Sequence, residues 1–129
     1  MIKKNWKHRN LRESIAGALR GLKIVFRAER NARTIIIVGS LVLIAAALLG
    51  ASLRDYAILV IVIISVFACE TFNTLVEVIL DMIQPQDDPH VKILKDIASG
   101  VVLLASIGAV AIGFIIFLPK VWPLISKFL

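Results

Sequence analysis

The stretch CETFNTLVEVILD, residues 69–81, carries three carboxylates and an amide in an otherwise apolar run. The four polar residues follow one another at intervals of three, four and four, and on a helix they share one face: Glu70, Asn73, Glu77 and Asp81. A charged side chain at the centre of a bilayer costs on the order of 2.5–3.5 kcal/mol on insertion scales. The spacing therefore predicts either a phosphoryl-transfer site that binds Mg²⁺ through carboxylate oxygens or a structural polar network between helices.

A second polar group, Lys95 and Asp96, begins the segment KDIASG at the start of the last apolar run. A lysine there either extends to the membrane interface or binds a phosphate. Glu70 lies deeper in its own run, where desolvation makes a carboxylate a stronger base. A polar stripe from this depth to the rim would connect a lipid headgroup with a soluble nucleotide. The sequence has no GxxxxGK[ST] phosphate loop and no HRD or DFG motif, so any nucleotide site uses another arrangement.

The elements that must position these residues are membrane helices. The chain has 129 residues, 59% of them hydrophobic, and a mean hydropathy of +0.90, which would leave a soluble fold with too much exposed apolar surface. Three runs reach the ~20 residues needed to cross a bilayer: residues 34–53, 56–80 and 97–118. We predict a single-domain, all-α membrane protein over residues 1–129. An N-terminal amphipathic surface helix, about residues 9–32, precedes the three transmembrane helices.

The 15 basic residues are unevenly distributed along the chain. Ten precede the first apolar run, one lies in the first connection, two lie in the second, and two follow the last run. Because cytoplasmic segments collect Lys and Arg, we expect the N-terminus and the second connection to lie in the cytoplasm. Basic residues oppose the apolar face of the predicted surface helix, as in helices that lie on anionic membranes. The net charge of +6 is thus a membrane-surface feature, and nothing indicates nucleic-acid binding.

Several segments together resemble the small prokaryotic lipid kinases, the diacylglycerol kinase and undecaprenol kinase family: ETFNTLVEVILD at 70–81, GLK at 21–23, FRAERN at 26–31 and KDIASG at 95–100. The resemblance covers residues 14–118. It implies transfer of the γ-phosphoryl group of ATP to the primary hydroxyl of a membrane lipid alcohol, with Mg²⁺ as cofactor. It also implies a multi-pass protein of a bacterial-type inner membrane and a homotrimer whose sites lie between subunits.

The resemblance also implies roles for individual residues. Glu70 would be the catalytic base that takes the proton from the lipid hydroxyl, and Asn73 would be an active-site amide. Four further residues would form the nucleotide site: Glu29, Glu77, Lys95 and Asp96. Among these, Glu29 and Glu77 would be the magnesium-binding pair that holds the ATP phosphates.

The chain departs from the family pattern at a few positions. Phe72 and Leu75 stand where family members usually have smaller residues, which bears on helix packing and on the lipid slot. The loop residues QDDP at 86–89 replace Glu-Tyr-His-Pro, so no contact to adenine or ribose carries over from that loop. The segments ERN and KDIASGVVLL look more like the undecaprenol-type branch, so undecaprenol is favoured over diacylglycerol as the acceptor.

Two other function classes remain open at this point. In a transport or channel protein, intramembrane acids would bind cations or protons, but three spans without a broken helix or an internal repeat fit few transporter plans. In a non-catalytic membrane scaffold, the same acids would serve packing alone. Lipid-dependent and Mg²⁺-dependent consumption of ATP separates an enzyme from both.

Overall fold

The structure, a computed structural model, describes residues 10–85 and 87–126. Over these residues it contains four α-helices and no strand: α1 (Leu11–Ala28), α2 (Arg30–Leu48), α3 (Leu53–Ile83) and α4 (Pro89–Ile125). Helices α2, α3 and α4 are each long and apolar enough to cross a membrane. The predicted fold class is therefore confirmed, since a shorter helix precedes three potential spans.

Helices α1 and α2 meet at Glu29, whose backbone is extended (φ −97°, ψ 122°). Helix α1 therefore ends at Ala28, whereas the predicted surface helix ends at residue 32. Residue 9, its predicted start, lies outside the described residues. The last carbonyls of a helix lack partners within that helix. In α1 two of them accept hydrogen bonds from the Arg33 guanidinium, the Phe26 oxygen at 3.3 Å and the Arg27 oxygen at 2.7 Å. Arg33 thus joins the two helices as well as carrying charge.

Much of the apolar face of α1 is exposed within the described residues. Leu11, Ile15 and Leu19 are exposed along it, and α1 contains no buried residue. A basic helix with a largely exposed apolar face is suited to lie in a membrane interface.

Helix α4 begins at Pro89, eight residues before the predicted start of the span at 97. From the sequence, this part of the chain is expected to be a polar connection, and the start of α4 differs from that expectation. Proline is well tolerated at the first position of a helix, because the N–H that it lacks has no intrahelical partner there. The Asp88 carboxylate precedes it and accepts a hydrogen bond from the His90 backbone N–H at 2.7 Å.

Helix α3 packs between α2 and α4. At Gly39 of α2 the backbone approaches α3 so closely that an added Cβ would lie 2.8 Å from Cγ2 of Ile63. A small apolar core lies towards the start of α3, where Ala46, Leu59 and Ile116 are buried. Most other large apolar side chains are exposed, as expected of helices whose outer surroundings are lipid.

Two ion pairs join α3 and α4, one near each end of the antiparallel pair. Lys120 Nζ lies 3.0 Å from Asp55 Oδ2, and Lys95 Nζ lies 2.5 Å from Asp81 Oδ1. The 31 residues of α3 extend over about 46 Å at 1.5 Å per residue, more than the ~30 Å hydrocarbon core. The register thus places the polar C-terminal half of α3 beside the first turns of α4.

Candidate active site

The polar stripe of α3 faces α4. Ser99 Oγ donates a hydrogen bond to Asn73 Oδ1 at 3.5 Å, and Lys95 Nζ donates to Asp81 Oδ1 at 2.5 Å. Because Ser99 follows Lys95 by four residues, two successive turns of α4 present polar groups to the stripe. The regular spacing of the polar residues on α3 thus places them on the face that contacts α4.

Within the stripe, Asn73 and Glu77 form a hydrogen-bonded pair. Asn73 Nδ2 donates to Glu77 Oε1 at 3.0 Å, and the Asn73 side chain is buried. A hydrogen bond to an ionised carboxylate is stronger than one between neutral groups, so it holds the Glu77 side chain in place. Over the part of the chain that the structure describes, no donor contacts the other carboxylate oxygen of Glu77. That oxygen is available to a cation.

Glu70 is the most deeply buried charged residue described, with 3% of its surface exposed. It lies about 10 Å from Glu77 along the helix axis, at 1.5 Å per residue. Within residues 10–85 and 87–126, no hydrogen bond reaches its carboxylate. A carboxylate oxygen without a donor in the protein can accept a hydrogen bond from a bound hydroxyl. The position is suited to a group that accepts a proton from a substrate.

An apolar groove of about 540 Å³ lies between α1, α2 and α3, and the α3 residues that line it both precede and follow Glu70 in the sequence. Thr71 is its single polar lining residue. Phe72 and Leu75, the two residues larger than the family pattern, both line it, and Leu22 of α1 closes another side. A groove of this character fits a hydrocarbon chain.

Two of the predicted site residues lie apart from the stripe. Glu29 is half-buried at the joint of α1 and α2, and no hydrogen bond or ion pair joins it to α3 among the described residues. Asp96 is exposed on α4. The described residues contain no group of three or more His, Cys, Asp or Glu side chains placed to hold a metal ion. Mg²⁺ usually takes one or two carboxylates and completes its coordination with phosphate and water oxygens, so the oxygen donors of Glu77 and Glu29 fit it in kind.

Sequence reasoning missed two contacts around the site. Ser99 lies within KDIASG but received no role, although its spacing from Lys95 puts both residues on one face of α4. In the sequence, Arg33 is only one of the ten basic residues that precede the first predicted span. Its bonds to the carbonyls of α1 had no sequence signal, because they depend on the break at Glu29.

Comparison with known proteins agrees with the resemblance seen in the sequence. A family model described as prokaryotic diacylglycerol kinase matches residues 16–117. An undecaprenol kinase of Bacillus subtilis (strain 168) is 33% identical over 108 residues, which cover 84% of this chain and 88% of that protein. A diacylglycerol kinase of Synechocystis sp. is 36% identical over 118 residues, which cover 91% of this chain and 66% of that protein. The chain belongs to the prokaryotic diacylglycerol kinase family.

Proposed function

We propose that this lipid kinase transfers the γ-phosphoryl group of ATP to the primary hydroxyl of undecaprenol in preference to diacylglycerol. Membership of the family makes the chain a phosphotransferase with a lipid alcohol acceptor. The observation that carries the proposal is the buried Glu70 carboxylate, which has no hydrogen-bond donor among the described residues and lies one turn from the Asn73–Glu77 pair.

In the proposed reaction the Glu70 carboxylate takes the proton from the lipid hydroxyl. The hydroxyl oxygen forms a bond to the γ-phosphorus, the bond from that phosphorus to the bridging oxygen breaks, and ADP leaves with the electron pair. Attacking and leaving oxygens lie roughly in line in such transfers. General-base catalysis contributes about 10²–10⁴-fold to a rate, and Glu70 is the residue assigned to that role. Asn73 holds the neighbouring carboxylate in place.

The nucleotide is proposed to bind nearer the end of the stripe. Mg²⁺ would neutralise charge on the triphosphate, and Glu77 and Glu29 are its proposed ligands. Lys95 would bind a phosphate, and Asp96 would contact the nucleotide. Lys95 pairs with Asp81 at the exposed end of the stripe, where exchanging an ion-pair partner costs little.

We further propose a homotrimer with sites between subunits, in an inner membrane of bacterial type with the N-terminus in the cytoplasm. Glu29 makes no hydrogen bond or ion pair with α3 within one described chain, so a neighbouring copy can bring Glu29 to Glu77. The exposed apolar faces of α2, α3 and α4 provide surface for packing between copies. Most of the basic residues precede α2, which supports a cytoplasmic N-terminus.

The preference for undecaprenol is supported by two observations. The segments ERN at 29–31 and KDIASGVVLL at 95–104 look more like the undecaprenol-type branch of the family. The groove between α1, α2 and α3 is apolar, so it suits a long isoprenoid chain. Phe72 and Leu75 reduce the space that two acyl chains would need.

The test uses purified protein in mixed micelles with γ-labelled ATP and Mg²⁺, and offers undecaprenol and diacylglycerol at equal mole fraction. We expect more label in the undecaprenol product than in the diacylglycerol product, and no label in either without Mg²⁺. More label in the diacylglycerol product would overturn the acceptor preference. An absence of label in both products, from protein that binds ATP, would overturn the kinase assignment.

A further inference from the structure

The hydroxyl of Ser99 behaves unlike the others within α2, α3 and α4. These helices contain seven serine and threonine residues. Six of them donate to the backbone carbonyl four residues earlier in their own helix: Thr34, Ser40, Ser65, Thr71, Thr74 and Ser106. Ser99 instead donates across the helix interface to the side-chain oxygen of Asn73. The usual intrahelical bond is thus replaced at one position, and that position faces the polar stripe.

Ser99, Asn73 and Glu77 form a hydrogen-bond network, and the chemistry of each side chain sets the direction of each hydrogen bond. An ionised carboxylate only accepts hydrogen bonds, so the Asn73 amide must turn its NH₂ group towards Glu77. The amide oxygen then faces α4, where it needs a donor, and the Ser99 hydroxyl supplies one. With the amide turned over, its oxygen would meet the carboxylate of Glu77 and both would lack a hydrogen. The Ser99 hydroxyl thus favours one of the two amide orientations.

We propose that Ser99 is a positioning residue for the phosphoryl-transfer site, acting through Asn73 on the metal-binding carboxylate of Glu77. This inference rests on the proposed function. It adds that the orientation of the Asn73 amide, set from α4, holds the Glu77 side chain in place and leaves one of its oxygens open to Mg²⁺. Among the described residues the Glu70 carboxylate takes no part in this hydrogen-bond network, and the two carboxylates are thereby given different tasks.

The size of the effect follows from the distances. The Asn73–Glu77 bond, at 3.0 Å, is of ordinary length, whereas 3.5 Å is long for a hydroxyl donor. Loss of the Ser99 hydroxyl therefore removes a weak neutral hydrogen bond. We expect the Mg²⁺ concentration for half-maximal rate to rise about two- to fivefold in Ser99→Ala, with a smaller change in kcat.

The first test needs no metal. The chain has four asparagines, so protein labelled with ¹⁵N-asparagine gives four side-chain amide signal pairs, and Asn73→Asp identifies the pair that belongs to residue 73. Ser99→Ala should shift that pair and leave the other three in place, whereas Ser99→Thr, which keeps a hydroxyl, should leave it near its original position. An Asn73 pair that does not move in Ser99→Ala overturns the inference.

Ser106→Ala is the matched control. Ser106 lies seven residues further along the same face of α4, and its hydroxyl donates only to the carbonyl of Val102. It should change neither the Asn73 signals nor the Mg²⁺ dependence. Should Ser99→Ala fail to fold, Ser99→Cys keeps the size of the side chain with a weaker donor, and it should give shifts in the same direction.

The second test measures lipid phosphorylation against Mg²⁺ concentration at saturating ATP. A raised Mg²⁺ requirement in Ser99→Ala that is restored in Ser99→Thr supports the inference. An unchanged Mg²⁺ requirement, or an equal rise in Ser106→Ala, overturns it. If the unmodified protein phosphorylates no lipid, the proposed function fails, while the amide signals still decide whether Ser99 orients Asn73.

Discussion

A site shared between copies of the chain predicts that two inactive variants restore activity when mixed. Glu29→Gln removes a proposed Mg²⁺ ligand at the joint of α1 and α2, and Glu77→Gln removes the other from α3. Each variant alone should be inactive, because every site lacks one ligand. Among the described residues, no hydrogen bond or ion pair joins Glu29 to α3. The two ligands of one site are therefore expected to come from different copies of the chain.

The expected recovery of activity follows from the number of ligands that each copy supplies to a site. In trimers assembled at random from equal amounts of both variants, a site receives an intact Glu29 in about half of cases and an intact Glu77 in about half, so about one quarter of all sites are complete. The assay is lipid phosphorylation after the two proteins are unfolded together and reconstituted in micelles. Its reference is unmodified protein treated in the same way.

The matched control mixes Glu70→Gln with Glu77→Gln. Both residues lie on α3, so every site contains one damaged residue or the other, and the mixture should stay inactive. A mixture of Glu29→Gln and Glu77→Gln that stays inactive, although cross-linking shows mixed oligomers, would refute the shared site. Equal recovery in both mixtures would show that Glu70 and Glu77 serve different sites.

Three further predictions concern the frame that holds the site. Asp55→Asn weakens the ion pair between α3 and α4 and the cap of α3, and should lower the melting temperature with kcat unchanged, as followed by thermal unfolding and by the phosphorylation assay. Gly39→Ala places a Cβ 2.8 Å from Ile63 and should destabilise the fold by about 1–3 kcal/mol in denaturant titrations. In the control Gly108→Ala the added Cβ meets open space, so stability should be unchanged. Equal losses of stability in both variants would contradict the close approach of α2 and α3. Arg33→Gln removes the donor to the α1 carbonyls and should speed amide hydrogen exchange in the last turn of α1 about threefold, with exchange in α3 unchanged.

Much of the architecture could be predicted because its signals are local. The three spans follow from the lengths of apolar runs, and the shared face of Glu70, Asn73 and Glu77 follows from helical periodicity. The structure adds which neighbour that face meets. Residue spacing could not identify α4 as that neighbour, although the polar start of KDIASG gave a hint.

The remaining features depend on contacts between distant parts of the chain. Glu29 is compatible with a continuous helix, and its extended backbone accompanies bonds from Arg33 to α1 that no local pattern encodes. Pro89 breaks a helix in its interior but begins one at its first turn, and the sequence alone did not distinguish the two positions. The hydrogen bond of Ser99 to Asn73 requires the register between α3 and α4, to which the ion pairs at their two ends contribute.

The proposed mechanism requires a carboxylate buried in a membrane helix to serve as the base of a phosphoryl transfer. The most direct measurement compares Glu70→Gln with the unmodified protein in single-turnover lipid phosphorylation and in Mg²⁺–ATP binding. Glutamine has nearly the same shape as glutamate and carries no charge, so the fold should be retained. We expect a rate lower by about 10²–10⁴-fold, with ATP affinity within about twofold of the unmodified protein. A rate close to that of the unmodified protein would contradict the role of Glu70 as the base.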